Sequence, residues 1–241
     1  MRAIVVALLG LCACTHGEDA ALPATCGLRE HTGEVVPVTV DSEDALAATA
    51  TCSSVPGDLV IEGTAFVSLV GLEGLRSVGG DLYLTDNESL RSLEGLAGLE
   101  RVEGNVYVYR NLALKDFAGL DALRDIGGKL GVWKNGNLES FHGLEHLEVV
   151  EGELSIWYND VLVGLTGLDG ARSAGSVHIE RNASLASLTG LMNLTNVEGD
   201  VAILRNLSLP LCEAERLAER AGRTCGVDAD CEDNRGTGVC E

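Results

Sequence analysis

Two histidines four residues apart, His142 and His146, are the first residues in this chain whose spacing suggests chemistry. On a helix that spacing would put both imidazoles on one face, ready for a metal ion. Here they flank Gly143-Leu144 in a segment that recurs along the chain, at positions that face outward in the other copies. They read as solvated surface histidines. Near the C-terminus, Asp228, Asp230, Glu232 and Asp233 invite a calcium loop. An EF-hand needs glycine at its sixth position and glutamate at its twelfth, and those places hold Asp233 and Val239. The segment reads instead as an acidic loop pinned by cysteines. Cys26, Cys52, Cys212, Cys225, Cys231 and Cys240 cluster at the two ends of the chain, and none has Cys-x-x-Cys spacing. Disulfides in an oxidising compartment fit that usage better than zinc. No Gly-x-Ser-x-Gly elbow, P-loop, His-Glu-x-x-His or dinucleotide fingerprint occurs. Carboxylates are too many and too dispersed to single out an acid/base pair. No catalytic residue, metal or cofactor is assigned.

The surroundings of these residues are set by an internal repeat. A glycine opens each copy: Gly57, Gly80, Gly104, Gly128, Gly152, Gly175 and Gly199, at steps of 23 or 24 residues. Two residues after it comes Leu59, Leu82, Val106, Leu130, Leu154, Val177 or Val201. Four after it comes Ile61, Leu84, Val108, Val132, Ile156, Ile179 or Ile203. That alternation predicts a half-buried strand. Seven after it, copies two to seven carry Asn87, Asn111, Asn135, Asn159, Asn182 and Asn206. Asparagine tolerates left-handed backbone and bonds neighbouring backbone, which suits a repeated corner. The rest of each copy drops an apolar residue every three positions, as in Leu90, Leu93, Leu96, Leu99 and Val102. A helix needs a period of 3.6 and a strand a period of 2. Short arcs joined by turns satisfy a period of three, so the chain is expected to wind as an all-β parallel solenoid of seven coils. At the β spacing of about 4.8 Å per coil, the stack is roughly 34 Å long.

Against that frame, the aromatic residues fall into columns. Tyr83 and Tyr107 stand three after the opening glycine, Tyr109, Trp133 and Trp157 five after, and Tyr158 six after. Arg110, Lys134, Arg181 and Arg205 also stand six after. Alternation points the third and fifth positions away from the core. These ten residues are the candidate binding face. Aromatics also suit strands without any partner, and stacked side chains stabilise a ladder by themselves. With 17 Lys and Arg against 37 Asp and Glu, the net charge is −20, which excludes a nucleic-acid partner recognised through its phosphates.

A solenoid needs covers at both ends. At the front, Asp41 or Ser42 can cap a short helix that begins with Glu43 and Asp44. At the back, Pro210 suits a first helical turn and Gly222 a stop. Leu211, Ala214, Leu217, Ala218 and Ala221 fall on one face between them.

Met1-Arg2 followed by the apolar run to Leu11 is too short to span a bilayer and reads as a secretory signal. Its end, Leu11-Cys12-Ala13-Cys14, resembles the bacterial lipobox. The resemblance implies that residues 1–13 are removed and that Cys14 is acylated, with residues 14–24 as a tether to the membrane.

Ordinary leucine-rich repeats read Leu-x-x-Leu-x-Leu-x-x-Asn. This chain reads Val78-Gly79-Gly80-Asp81-Leu82-Tyr83-Leu84-Thr85-Asp86-Asn87, with an extra residue and a glycine before the strand. With the period-three leucines, that pattern resembles the receptor L domain, the right-handed β-helix of insulin-receptor and epidermal-growth-factor-receptor ectodomains. The stretch from Cys26-Gly27 through Val38-Thr39-Val40 to Cys52-Ser53-Ser54-Val55-Pro56-Gly57 follows that family's opening. The resemblance covers residues 25–241, with an N-cap at 25–56 and a C-cap at 210–241. It implies a Cys26–Cys52 disulfide and a Cys212–Cys240 disulfide, leaving Cys225–Cys231, although four cysteines alone allow three pairings. It also implies a non-catalytic role. The expectation is a bacterial envelope lipoprotein at the outer membrane that binds a protein or glycan through its outward strand face. A structural protein that forms homo-oligomers through that face is the alternative, and a glycan-active β-helix enzyme the third reading.

Overall fold

The computed structural model describes residues 26, 35–227 and 229–237. The segments expected to be signal peptide and tether, Cys14 with its expected acylation, Asp228 and Cys240 lie outside them. In chain order the first strands are β1 (Val38–Thr39), β2 (Ser54–Val55), β3 (Leu59–Glu62), β4 (Ser77–Val78), β5 (Leu82–Thr85) and β6 (Arg101–Val102). Then come β7 (Val106–Tyr109), β8 (Asp125–Ile126), β9 (Leu130–Trp133), β10 (Val149–Trp157), β11 (Ser173–Glu180), β12 (Asn196–Val197) and β13 (Val201–Leu204). All pairings among them are parallel, and they build two ladders. The long ladder runs β1, β3, β5, β7, β9, then the C-terminal halves of β10 and β11, then β13. The short one runs β2, β4, β6, β8, the N-terminal halves of β10 and β11, then β12. The chain is a parallel β-solenoid of about seven coils.

Register follows the repeat. Leu59, Leu82, Val106, Leu130, Leu154, Val177 and Val201 are successive Cα partners, as are Ile61, Leu84, Val108, Val132, Ile156, Ile179 and Ile203. Both columns are buried, with the period-three leucines opposite them. Phe117 and Phe141 stack inside this core with centroids 5.1 Å apart. The recurring glycine before the middle leucine has a positive φ in five coils, and coils approach closely there. At Gly95 (φ +106°) a Cβ would lie 1.8 Å from the carbonyl oxygen of Leu69.

The asparagines form a buried ladder. Each backbone N–H bonds the Oδ1 of the next asparagine at 3.0–3.3 Å, from Asn87 to Asn206. Each Nδ2 donates to a carbonyl of the preceding coil's strand, as Asn135 does to Val108 at 2.9 Å. The expected left-handed backbone belongs to a neighbour instead. The residue before each asparagine has φ of 54–57°: Asp86, Arg110, Lys134, Tyr158, Arg181, Arg205 and Asp233. Asparagine is chosen for its side-chain amide, which meets one donor and one acceptor per coil.

The caps close the ladder at both ends. At the front, the Thr64 N–H and hydroxyl both donate to Asn87 Oδ1, β1 adds a rung to β3, and Ser42 caps helix α1 (Glu43–Thr49). Cys26 is bonded to Cys52. At the back, the segment read as an acidic loop forms a further partial coil. Ala229 and Cys231 take the two core positions, Asp233 the left-handed one, and Asn234 ends the asparagine ladder on Asn206. Cys225 is bonded to Cys231; Cys212 is also in a disulfide, and its partner lies outside the described residues. In helix α2 (Leu211–Arg220), Pro210 is the extended N-cap, one residue ahead of the first turn. Ala214, Leu217 and Ala218 are buried, whereas Leu211 is 45% exposed and lies off the covering face. The Arg223 guanidinium donates to the carbonyls of Glu198 and Gly199 at 3.0 and 2.9 Å, satisfying edge groups of the last full coil.

Candidate aromatic and cationic face

The long ladder positions the candidate face. Its strands alternate core and surface, so Tyr83, Tyr107, Tyr109, Trp133 and Trp157 project from the side opposite the buried leucines and valines. Their rings are half-buried against one another rather than standing free. Tyr83 stacks on Tyr107 (centroids 5.1 Å), Tyr107 meets Trp133 (5.7 Å), and Trp133 meets Trp157 edge to face (5.3 Å). Trp157 then lies parallel to the imidazole of His178 at 6.4 Å. One strip therefore crosses five coils. It steps between two columns because Gly131 leaves a gap in the column of Tyr107. The indole of Trp133 fills that gap, and a Cβ on Gly131 would sit 2.5 Å from its Cζ2. Both indole N–H groups donate to the buried Ser155 Oγ, at 3.2 Å from Trp133 and 3.0 Å from Trp157. The strip is held by ring contacts and by one shared acceptor.

Tyr158 keeps the column its spacing gave it, six after the glycine, but stands off the strand. It lies one residue past β10, at the left-handed corner, in the same column as Arg110, Lys134, Arg181 and Arg205. That column is a row of cations over rings. Arg110 lies over Tyr109 at 5.9 Å, and Lys134 lies over Tyr109 at 5.7 Å and over Tyr158 at 5.9 Å. Arg181 lies over Tyr158 at 5.3 Å and donates to its hydroxyl at 2.8 Å. Arg110 also pairs with Asp86, and Arg181 and Arg205 both reach Glu180 at 3.0 Å. Around Tyr158, Arg181 and Arg205 the surface dips into a groove of about 460 Å³ floored by Ala183 and Leu207.

Charged residues beside the strip went unnoticed in the sequence. Lys129 lies over the Trp133 ring at 4.8 Å and pairs with Glu153. His178 sits between Glu153 (3.5 Å) and the nearly buried Glu180 (3.1 Å). His178 and Glu180 stand three and five after their glycine, in outward columns already chosen for aromatics, and Lys129 and Glu153 stand one after theirs, in step with the same alternation. That shared register was the available signal. At the front of the strip, the Tyr83 hydroxyl donates to Asp81 at 2.9 Å. That hydrogen bond, with burial and the carboxylate charge behind it, pushes the phenol up to about 12. Burial raises Tyr107 as well.

The two histidines of the repeated arc do not converge on a metal site. His142 Nδ1 lies 2.6 Å from Glu145 Oε1, and His146 Nδ1 lies 2.8 Å from the Asp121 carbonyl. Asp233 is engaged by Arg235 at 2.7 Å, which holds its carboxyl below the usual range. Among the described residues no group of three His, Cys, Asp or Glu side chains is arranged to hold a metal ion, and no helix is long and apolar enough to cross a membrane. No protein family, curated protein or solved structure matches the chain.

Proposed function

We propose that this chain is a lipid-anchored envelope binding module that recognises a protein or glycan through the outward face of its long ladder, without catalysis. One observation carries the reading. The aromatic strip is assembled across two columns, with Gly131 and Ser155 supplying the space and the acceptor that the two indoles need. That pairing of large and small residues joins the rings into one continuous strip on the outward face. Aromatic and arginine side chains that remain partly accessible, as these do, are what recognition surfaces are rich in. The remainder of the reading rests on resemblance. The lipobox-like Leu11-Cys12-Ala13-Cys14 supports acylation of Cys14 and an outer-membrane location, and the Cys26 to Gly57 opening supports a receptor L domain-like, non-catalytic solenoid.

The test is a glycan and surface-protein array probed with the detergent-solubilised chain and with a Trp133→Ser/Trp157→Ser variant. Binding by the wild-type chain that the variant loses, with its fold intact by circular dichroism, supports recognition through the strip. Equal binding by the two proteins refutes it. A wild-type oligomer in light scattering that the variant turns into monomer favours the structural alternative.

A further inference from the structure

The left-handed corner column is the least expected place in this fold for long cations. A positive φ is cheap for glycine, asparagine and aspartate and strained for other residues. Aspartate occupies it at the two ends of the row, Asp86 and Asp233. Between them stand Arg110, Lys134, Tyr158, Arg181 and Arg205. A corner selected only for folding would carry asparagine, aspartate or glycine throughout. Strained residues that persist where an easier residue would serve mark a place where side-chain identity matters for something other than the backbone.

What these side chains offer is a straight line of positive charge. The strand hydrogen bonds continue through the corner, from Arg110 N–H to the Trp133 carbonyl and from Lys134 N–H to the Trp157 carbonyl, both 3.2 Å. The rows therefore stay one coil apart, and Arg110 to Arg205 spans about 19 Å. On a chain of net charge −20 the row sets four cations against three carboxylates, Arg110 meeting Asp86, and Arg181 and Arg205 meeting Glu180 with Asp233 beside Arg205. Lys134 is the cation of the row that makes no ion pair among the described residues, and it is flanked by the rings of Tyr109 and Tyr158. The next column inward carries Tyr109, Trp133 and Trp157.

We propose that this row, together with the aromatic column beside it, is a subsite for a linear acidic polysaccharide whose sugars carry carboxylates. The proposal rests on the strand-face reading above and names its ligand class. Uronic acid units present an apolar ring face and a carboxylate on each residue. In two successive coils, Tyr109 beside Arg110 and Trp133 beside Lys134, an aromatic and a cation stand side by side at about the length of one pyranose unit, which matches both. The groove past Tyr158, lined by Arg181, Arg205 and Arg235 and also by Asp160 and Asp233, borders that end of the row. An acidic peptide would use the cations and leave the ring faces without a counterpart. Long-range repulsion from the remaining carboxylates is damped beyond about 8 Å at physiological salt, so the contact is short-ranged and salt-sensitive.

The experiment is affinity electrophoresis of the full, detergent-solubilised chain in native gels containing polygalacturonate, alginate, fully methyl-esterified polygalacturonate or poly-L-glutamate. The expected result is retardation by one or both polyuronates and by neither the ester nor polyglutamate. An acidic protein has no bulk attraction to any of these gels, so retardation reports a site. Arg110→Asn/Lys134→Asn should weaken the interaction by at least about tenfold, the loss of two charge-assisted contacts. Its thermal midpoint should hold or rise, since asparagine takes the left-handed region more easily. No retardation by either polyuronate overturns the proposal, as does equal retardation by polyglutamate or an unchanged double variant. Polyuronate binding abolished by Trp133→Ser/Trp157→Ser but kept by the double Asn variant would leave the strand face standing and remove the cation row. Loss in the Asn variant alone would do the reverse.

Discussion

Replacing Asn135 with alanine tests the physical account of the solenoid most directly. Asn135 is fully buried in the middle of the asparagine ladder. Its Oδ1 accepts the Asn111 N–H at 3.0 Å, and its Nδ2 donates to the Val108 carbonyl at 2.9 Å and to Asn159 Oδ1 at 3.3 Å. Alanine leaves the Asn111 N–H and the Val108 carbonyl buried without these partners. Each such orphan costs about 1–3 kcal/mol, so the variant should lose about 4 kcal/mol. The Asn159 Oδ1 keeps its bond from the backbone N–H at position 135, so damage should not spread along the ladder by that route. Asn234→Ala is the internal control. Asn234 makes equivalent bonds to Asn206 and Ile203, but it is the last rung and is 8% exposed against 0% for Asn135, so water can reach the groups it would leave. Its loss should cost about half as much. Guanidinium unfolding followed by circular dichroism measures both, with an unchanged m-value showing that the stack still unfolds as a unit. A loss below about 1 kcal/mol for Asn135→Ala, or equal losses at the two positions, would refute the view that a dry, continuous amide ladder holds the coils in register.

Gly131→Ala should push the Trp133 indole out of its gap, because a Cβ there meets the ring at 2.5 Å; a red shift in tryptophan emission with the fold retained is the expected result, and an unchanged spectrum would show that the ring does not lie over Gly131. His142 should hold its proton to higher pH than an ordinary histidine, owing first to its hydrogen bond and then to its charge interaction with Glu145. A raised folded pKa means that the contribution to stability is present at low pH and fades as pH climbs through the folded value. An NMR titration should find the midpoint above 6.5, and Glu145→Gln should lower it.

The fold was legible because a parallel solenoid turns sequence period directly into structure. Glycine steps of 23 and 24 residues became Cα registers from β3 to β13, with a shift between Val150 and Glu153 where β10 pairs β11 and the step falls from 24 to 23. The last partial coil was hidden by its own residues. Val227 stands where the opening glycine should be, and Ala229 and Cys231 replace the usual branched aliphatics, so hydrophobic periodicity there is weak. Asn234 was the remaining signal. The left-handed corner was assigned to the wrong residue because propensity points to asparagine, while the demand for a buried amide had already claimed it. Leu211 was expected on the covering face of α2 because its spacing fits; at the first residue of the helix it faces solvent instead.

The candidate face was legible only as a set of positions. Spacing identified the columns of Tyr83, Tyr107, Tyr109, Trp133 and Trp157, but contacts between columns depend on side-chain volume. The third column reads Val60, Tyr83, Tyr107, Gly131, Ser155, His178 and Ala202, and the fifth reads Glu62, Thr85, Tyr109, Trp133, Trp157, Glu180 and Leu204. In the coils where the fifth column carries an indole, the third carries Gly131 or Ser155. Beyond Trp157 the third column becomes large again at His178, which continues the stack. Small residues thus occur where large ones lean across, a complementarity that neither column reveals alone. Within a solenoid every coil meets nearly the same backbone demand, so variation along a column reports what the side chains do. The core columns stay aliphatic and the ladder stays asparagine. The outward columns vary in concert, in the stretch where the cation row also runs, which sets one patch apart from an otherwise repetitive surface.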